Sequence, residues 1–264
     1  MLPIHRVLTP VDFTDTSIGI IPFAQEIAAR YGAELILLHV ESDRELGKFR
    51  RDPLHEFNVR RVLYDGDPAD VIVGFVKSKK VDLIVMPTHG YGQFRRFLVG
   101  SVTAKILHDL ECPVLTGVHV PQPPPVKIAE LHDVLCAIDL GSESSEVLKW
   151  ASRLAADFRL PLDLVHAVPA FSPGQSLALS NDWRAEVANL AGQGLERAAS
   201  AAGLVAAGAY VEEGDPAKTV CTLANKLRSG VLVIGRGPRD RMGGRLTTHS
   251  YSIIRQSPCP VLSI

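Results

Sequence analysis

Residues 82–114 read DLIVMPTHGYGQFRRFLVGSVTAKILHDLECPV, and this stretch decides the fold. Leu83-Ile84-Val85-Met86 is a short, branched apolar run of the kind that forms a strand buried on both faces. A loop containing Pro87, Gly90 and Gly92 follows. Gly100-Ser101 then opens a segment with Val102, Ile106, Leu107 and Leu110 at helical spacing. Ser101 is placed to cap that helix, whose free first-turn N–H groups face back toward the loop. A strand, a glycine-bearing loop and a helix N-terminus make a phosphate site in principle, because backbone donors and the helix dipole converge on one anion. The same glycines also serve ordinary turn geometry, so the stretch alone leaves a bland structural turn open.

Upstream, residues 5–40 read as strand, turn, helix and strand. Val7-Leu8 lead into Asp12; Thr14, Asp15 and Thr16 offer caps; Phe23, Ile27, Ala28 and Tyr31 form an apolar face; Gly32 stops the helix. Pro22 is awkward there and belongs in the first turns or at a kink. The segment returns without a gap at an offset of 127: Asp12 falls on Asp139, Phe23 on Trp150, Ala28 on Ala155, Tyr31 on Phe158 and His39 on His166. Asp65-Gly66-Asp67-Pro68-Ala69 then matches Glu213-Gly214-Asp215-Pro216-Ala217 at offset 148, and Cys112-Pro113-Val114-Leu115 matches Cys259-Pro260-Val261-Leu262 at offset 147. Three ordered matches make the chain a tandem duplication.

The rise in offset from 127 to 148 gives the second half 21 extra residues between its second and third strands. Trp183–Ala202, with Val187, Leu190, Gly194 and Leu195, predicts an added amphipathic helix there. The first half has only a Pro-broken stretch, so apolar surface near Phe49, Leu54 and Phe57 calls for a cover, from the other half or from a homodimer partner. VHVPQPPPVK is a stiff linker. The domain reading is 1–120, a linker over 121–127, and 128–264. Alternating buried strands and helices predict an α/β fold: two tandem doubly wound open sheets of mainly parallel strands with helices on both faces. Both halves end in short apolar strands at a sheet edge, which predicts that the halves pair through them.

At 264 residues with 46% hydrophobic and 22% charged residues, the chain has the composition of a soluble two-domain protein. A net charge of −1 supplies no basic field for nucleic acid or anionic membrane, and no apolar run approaches a bilayer span. The N-terminus lacks a signal-peptide pattern, and the 4 cysteines are dispersed without a C-x-x-C pair; a reducing cytoplasm is expected.

In such sheets ligands bind beyond the carboxyl ends of the strands. Those ends in the first half carry Pro10-Val11-Asp12, His39-Val40 and Met86-Pro87-Thr88-His89-Gly90. The order P-V-D, H-V, G-D-P, T-H-G, nine residues, G-S and C-P-V-L resembles the universal stress protein family over both halves. Its nucleotide-binding members carry G-x2-G-x9-G-(S/T). The resemblance implies a stress-response protein holding an adenine nucleotide, ATP first, with or without Mg, as a regulatory or structural ligand in the N-terminal half. The site it implies comprises Pro10, Val11, Asp12, Val40, Met86, Thr88, His89, Gly90, Gly100 and Ser101, with Val40 meeting adenine through its backbone. Two departures stand out. Pro87 replaces the first glycine and removes an N–H. The second half reads Gly235-Arg236-Gly237-Pro238, then Thr247-Thr248, after a loop one residue shorter.

Each residue also has a plainer role. Asp12 and Asp139 suit helix caps, His39 and His166 suit structural contacts, and His89 suits loop packing, since no Ser–His pair or paired carboxylate accompanies it. Arg95 and Arg96 suit solvated loop positions or phosphate contacts. Arg236, Arg239, Arg241 and Arg245 give the second half's loop a local positive charge, for an anion, a partner or solvent. No constellation activates a water, so at most slow hydrolysis is expected, and no metal site of the protein's own. The rival reading is a ligand-free interaction module, two halves docked as a pseudo-symmetric pair. An adenylyl-transferring enzyme fits poorly, because TPVDFTDTS has no glycine.

Overall fold

Branched apolar runs become strands and the amphipathic segments between them become helices in a computed structural model that describes residues 2–41, 60–89, 99–118, 128, 131–170, 181–237 and 246–264. The first half runs β1 (Arg6–Val11), α1 (Asp15–Gly19), α2 (Ile21–Tyr31), β2 (Glu34–Glu41), β3 (Arg60–Asp65), α3 (Pro68–Lys79), β4 (Leu83–Met86), α4 (Ser101–Asp109) and β5 (Val114–Thr116). The second runs β6 (Val134–Ala137), α5 (Ser144–Phe158), β7 (Leu162–Val168), α6 (Asn181–Ala201), β8 (Gly208–Glu213), α7 (Pro216–Leu227), β9 (Val231–Ile234), α8 (Thr248–Gln256) and β10 (Val261–Ser263).

These strands form one sheet of ten, in the order β3-β2-β1-β4-β5-β10-β9-β6-β7-β8. The two expected sheets are thus joined, and the join is the antiparallel pair β5–β10, with Val114 opposite Ser263, Leu115 opposite Leu262 and Thr116 opposite Val261. All the other pairings are parallel. The Thr116 hydroxyl donates to the Val261 carbonyl at 3.3 Å and the Ser263 hydroxyl to the Val114 carbonyl at 3.1 Å, so side chains reinforce the seam.

Side chains alternate across the strands and feed two cores. Val7, Leu35 and Leu37 pack with α2, α5 and α6 on one face; Leu8, Ile36 and Leu38 belong to the core of α3, α4, α7 and α8 on the other. β4, between β1 and β5, and β9, between β10 and β6, are buried along their whole length.

Pro22 sits in the first turn of α2, and the chain breaks at Ile20 into the short α1 before it. The second half has Lys149 there, and α5 runs unbroken for 15 residues. The added helix is present as α6, 21 residues long. Its buried face is Ala191, Leu195 and Ala199; of the expected stripe Leu195 is buried and Val187 and Gly194 are half-buried, while Leu190 is 51% exposed. Small alanines let α6 lie close to the sheet, and periodicity counted on larger residues overlooks them. Phe49, Leu54 and Phe57 lie outside the described residues.

Candidate functional site

Two turns of matching sequence, one in each half, start the helices that follow β3 and β8. Gly66, at φ 132°, and Gly214, at φ 150°, adopt backbone that favours glycine, and each precedes an aspartate that caps the next helix. Asp67 Oδ1 accepts from the N–H groups of Ala69 and Asp70 at 3.1 and 3.0 Å, which starts α3 at Pro68. α4 starts at Gly100, whose N–H donates to the Thr88 carbonyl at 2.8 Å and so ties the helix to the end of β4.

Between these helix starts lies an open cleft of about 250 Å³. The order β2-β1-β4 places it at the switch point, where the chain winds one way from β1 to β2 and the other way to β4. β1 contributes Pro10, Val11 and, just beyond its end, Asp12. β2 contributes Leu38 and Val40, and the β4 end Met86, Pro87 and His89; Gly100 and Ser101 close the far wall. Eight of the ten expected residues therefore line one cavity. Thr88 sits behind the lining, 1% exposed, with its hydroxyl 3.2 Å from His89 Nδ1. Gly90, with Arg95 and Arg96, lies outside the described residues.

Sequence reasoning did not single out Ser17, Pro68, Ile72 or Thr103 as lining residues. The Gly-Asp-Pro turn was the signal for Pro68, since it starts a helix at the same edge. Thr103 was recoverable as the residue one turn into α4; its hydroxyl donates to the Pro87 carbonyl at 3.2 Å.

Ser101 is not the cap of α4. The N-cap is Gly100, no side chain caps the helix, and Ser101 is its exposed first residue. Among the described residues no side chain takes up the first-turn donors of α4, and they border the cleft. Asp12 is half-buried, and its Oδ1 accepts from the N–H and hydroxyl of Thr14 at 3.1 and 2.6 Å. Thr14, not Asp12, caps α1, by accepting from Ser17 N–H. Asp139 repeats the arrangement, accepting from Gly141 N–H at 2.8 Å and the Ser144 hydroxyl at 3.1 Å. His39 and His166 make matching structural contacts: His39 Nδ1 donates to the carbonyl of Val11, the last residue of β1, at 2.7 Å, and His166 Nδ1 to that of Ile138, one residue beyond β6, at 2.8 Å.

The largest departure from the sequence reading is Arg236. It is not a solvated loop cation but a fully buried side chain, at 0% exposure. From the end of β9 it crosses to the first half and donates to the carbonyls of Leu107 and Leu110 at 3.2 and 2.8 Å, and of Glu111 and Cys112 at 3.2 and 2.9 Å. A cation at the carboxyl end of a helix also opposes the helix dipole. Nearby, burial pushes the Cys112 thiol up to about 12, against the pull of the Arg236 charge.

Parallel strands winding outward from a switch point, with helix N-termini turned into the crevice, define a doubly wound α/β protein whose site suits an anionic ligand. Comparison with known proteins makes this specific. The model of the universal stress protein family matches residues 41–117 and 130–264, and the chain belongs to that family. A universal stress protein of Methanocaldococcus jannaschii is 29% identical over 135 residues, covering 42% of this chain and 79% of that one. A universal stress protein A-like protein of Arabidopsis thaliana is 43% identical over 51 residues, 19% of this chain and 29% of its own. Among solved structures, a functionally unknown protein of Pseudomonas aeruginosa superposes with a TM-score of 0.71 at 18% identity, covering 99% of this chain and 92% of that one. A universal stress protein of Archaeoglobus fulgidus does so with a TM-score of 0.66 at 20% identity, covering 98% and 95%. These two share the fold over nearly the whole chain.

Proposed function

We propose that the protein binds an adenine nucleotide, ATP first, in the first-half cleft, as a regulatory or structural ligand in a stress response in the cytoplasm. One observation carries this reading. The uncapped N-terminus of α4, with Gly100 bare of a Cβ, faces the carboxylate of Asp12 across a single cleft at the switch point. The phosphates would lie on Gly100 and Ser101, and the nucleoside would lie toward Asp12 and Val40. Any Mg²⁺ would arrive bound to the phosphates and keep several waters of its own. Among the described residues, the titratable side chains lining the cleft are Asp12 and His89, and binding and release, rather than rapid hydrolysis, is the chemistry proposed. Residues 1–120 and 128–264 act as two units joined by the 121–127 linker, and only the first takes nucleotide.

A second reading, docking of a protein partner or a second copy, is favoured by one feature. β3 is an edge strand, and its Leu63 and Tyr64 are 61% and 42% exposed. Mass spectrometry of small molecules released from freshly purified, denatured protein separates the two. The nucleotide reading expects an adenine nucleotide at close to one per chain. Protein that neither carries one nor takes up added ATP leaves the docking reading.

A further inference from the structure

α4 carries Gly100 and Ser101 of the cleft, yet both of its ends are held by the second half. At its start, the Tyr251 hydroxyl oxygen on α8 accepts from the N–H of Val99 at 2.9 Å, one residue before the N-cap. At its finish, Arg236 gathers the carbonyls of Leu107, Leu110, Glu111 and Cys112. The geometry points to Tyr251 and Arg236 as positioning residues for the first half's cleft. The half without the intact motif is a brace that fixes where α4 aims its N-terminus. This inference rests on the nucleotide reading above.

Three features support a brace rather than incidental packing. First, α4 is nine residues long and has no side-chain cap, so its own sequence does little to fix its start. Second, its counterpart α8 needs no such help: Thr247 caps it, accepting from Ser250 N–H at 3.2 Å. Among the described residues, the half that keeps Gly100 and Ser101 has no side-chain cap on this helix, and the half that has lost them caps its own. Third, the brace runs one way. At the repeat offsets Tyr251 corresponds to Ala104 and Arg236 to Thr88, side chains too short to reach across. A pair of identical halves would have returned both contacts.

The aim of a helix N-terminus matters because its donors act at hydrogen-bond range, so a small slide along the axis loosens every contact to an anion. Two anchors at opposite ends of α4 resist such a slide. The ion pair between Lys105 on α4 and Asp70 on α3, at 2.5 Å, ties the two helices that flank the cleft.

The test uses the full chain carrying Tyr251→Phe, which keeps the ring and deletes the acceptor. Hydrogen exchange of the Val99–Lys105 amides is measured without nucleotide, and ATP is then titrated by calorimetry. The brace predicts faster exchange at the start of α4 and weaker ATP binding, each by about threefold to tenfold, the worth of one net hydrogen bond. The α7 and α8 amides should keep wild-type protection. Arg236→Lys, which keeps the charge but not the planar fork, should loosen the 107–112 end and weaken ATP binding as well. Unchanged exchange in Tyr251→Phe overturns the brace, as does unchanged affinity where the wild type binds. If the wild type takes up no ATP, the nucleotide reading fails, and the exchange data alone decide the brace.

Discussion

Replacing Arg236 with methionine removes the hydrogen bonds to the carbonyls of Leu107, Leu110, Glu111 and Cys112 while keeping much of the side-chain volume. The Leu107 and Leu110 carbonyls are bonded in fully buried surroundings, whereas the bonds to Glu111 and Cys112 are only partly buried, so water can take the arginine's place at the latter two. Two stranded carbonyls at about 1–3 kcal/mol each give roughly 2–6 kcal/mol. Relief from holding a dehydrated guanidinium offsets part of this, and a net loss of about 2–4 kcal/mol remains. For a chain of this size that lowers the melting temperature by roughly 5–15 °C. Thermal unfolding followed by circular dichroism measures it, with Arg236→Lys expected in between. A methionine variant melting within about 2 °C of wild type would refute the reasoning, because it would mean that the α4 carbonyls do not depend on Arg236.

Ser101→Ala should leave the melting temperature unchanged while weakening ATP binding about threefold to tenfold; Thr247→Ala, which removes a real cap, should do the reverse at a cost of about 1 kcal/mol. Calorimetry and thermal melts on both variants check the contrast, and a destabilised Ser101→Ala with full affinity would contradict it. The thiols should resist a disulfide reagent at pH 8, because burial pushes Cys112 and Cys221 up to about 12 and Cys259 to about 11, and raises Cys136 as well. Groups raised in the folded state stabilise it fully below their unfolded value near 9.0 and lose that contribution as pH rises through the folded values. Stability should therefore fall between about pH 9 and 12, and denaturant melts across that range measure it. Prompt labelling of the native protein would contradict the burial.

The strands and their order were legible because the apolar runs Leu83–Met86 and Val231–Ile234 are short, branched and bounded by turn residues, and because matched offsets reveal the repeat. The cleft was legible too, since in a doubly wound sheet the ends of β1, β2 and β4 must converge. What was not legible depends on contacts distant in sequence. Arg236 sits in an arginine-rich stretch that reads as a positively charged loop for an anion, a partner or solvent. Its burial follows only once β5 pairs with β10 and brings a helix end 124–129 residues away over β9. Ser101 misled by type: serine favours caps, but Gly100, tied to Thr88, already occupies the cap position. Leu190 misled by size, because the face of α6 that meets the sheet is made of alanine around Leu195.

The central claim is that an anion sits against the bare backbone at Gly100. Gly100 has φ −56° and ψ 145°, a conformation open to any residue, so Gly100→Val adds bulk at the cleft wall without backbone strain. Calorimetric titration of the folded variant and the wild type with ATP is the direct test. The account predicts one site per wild-type chain and no measurable binding in the variant; a folded Gly100→Val protein with wild-type affinity would contradict it.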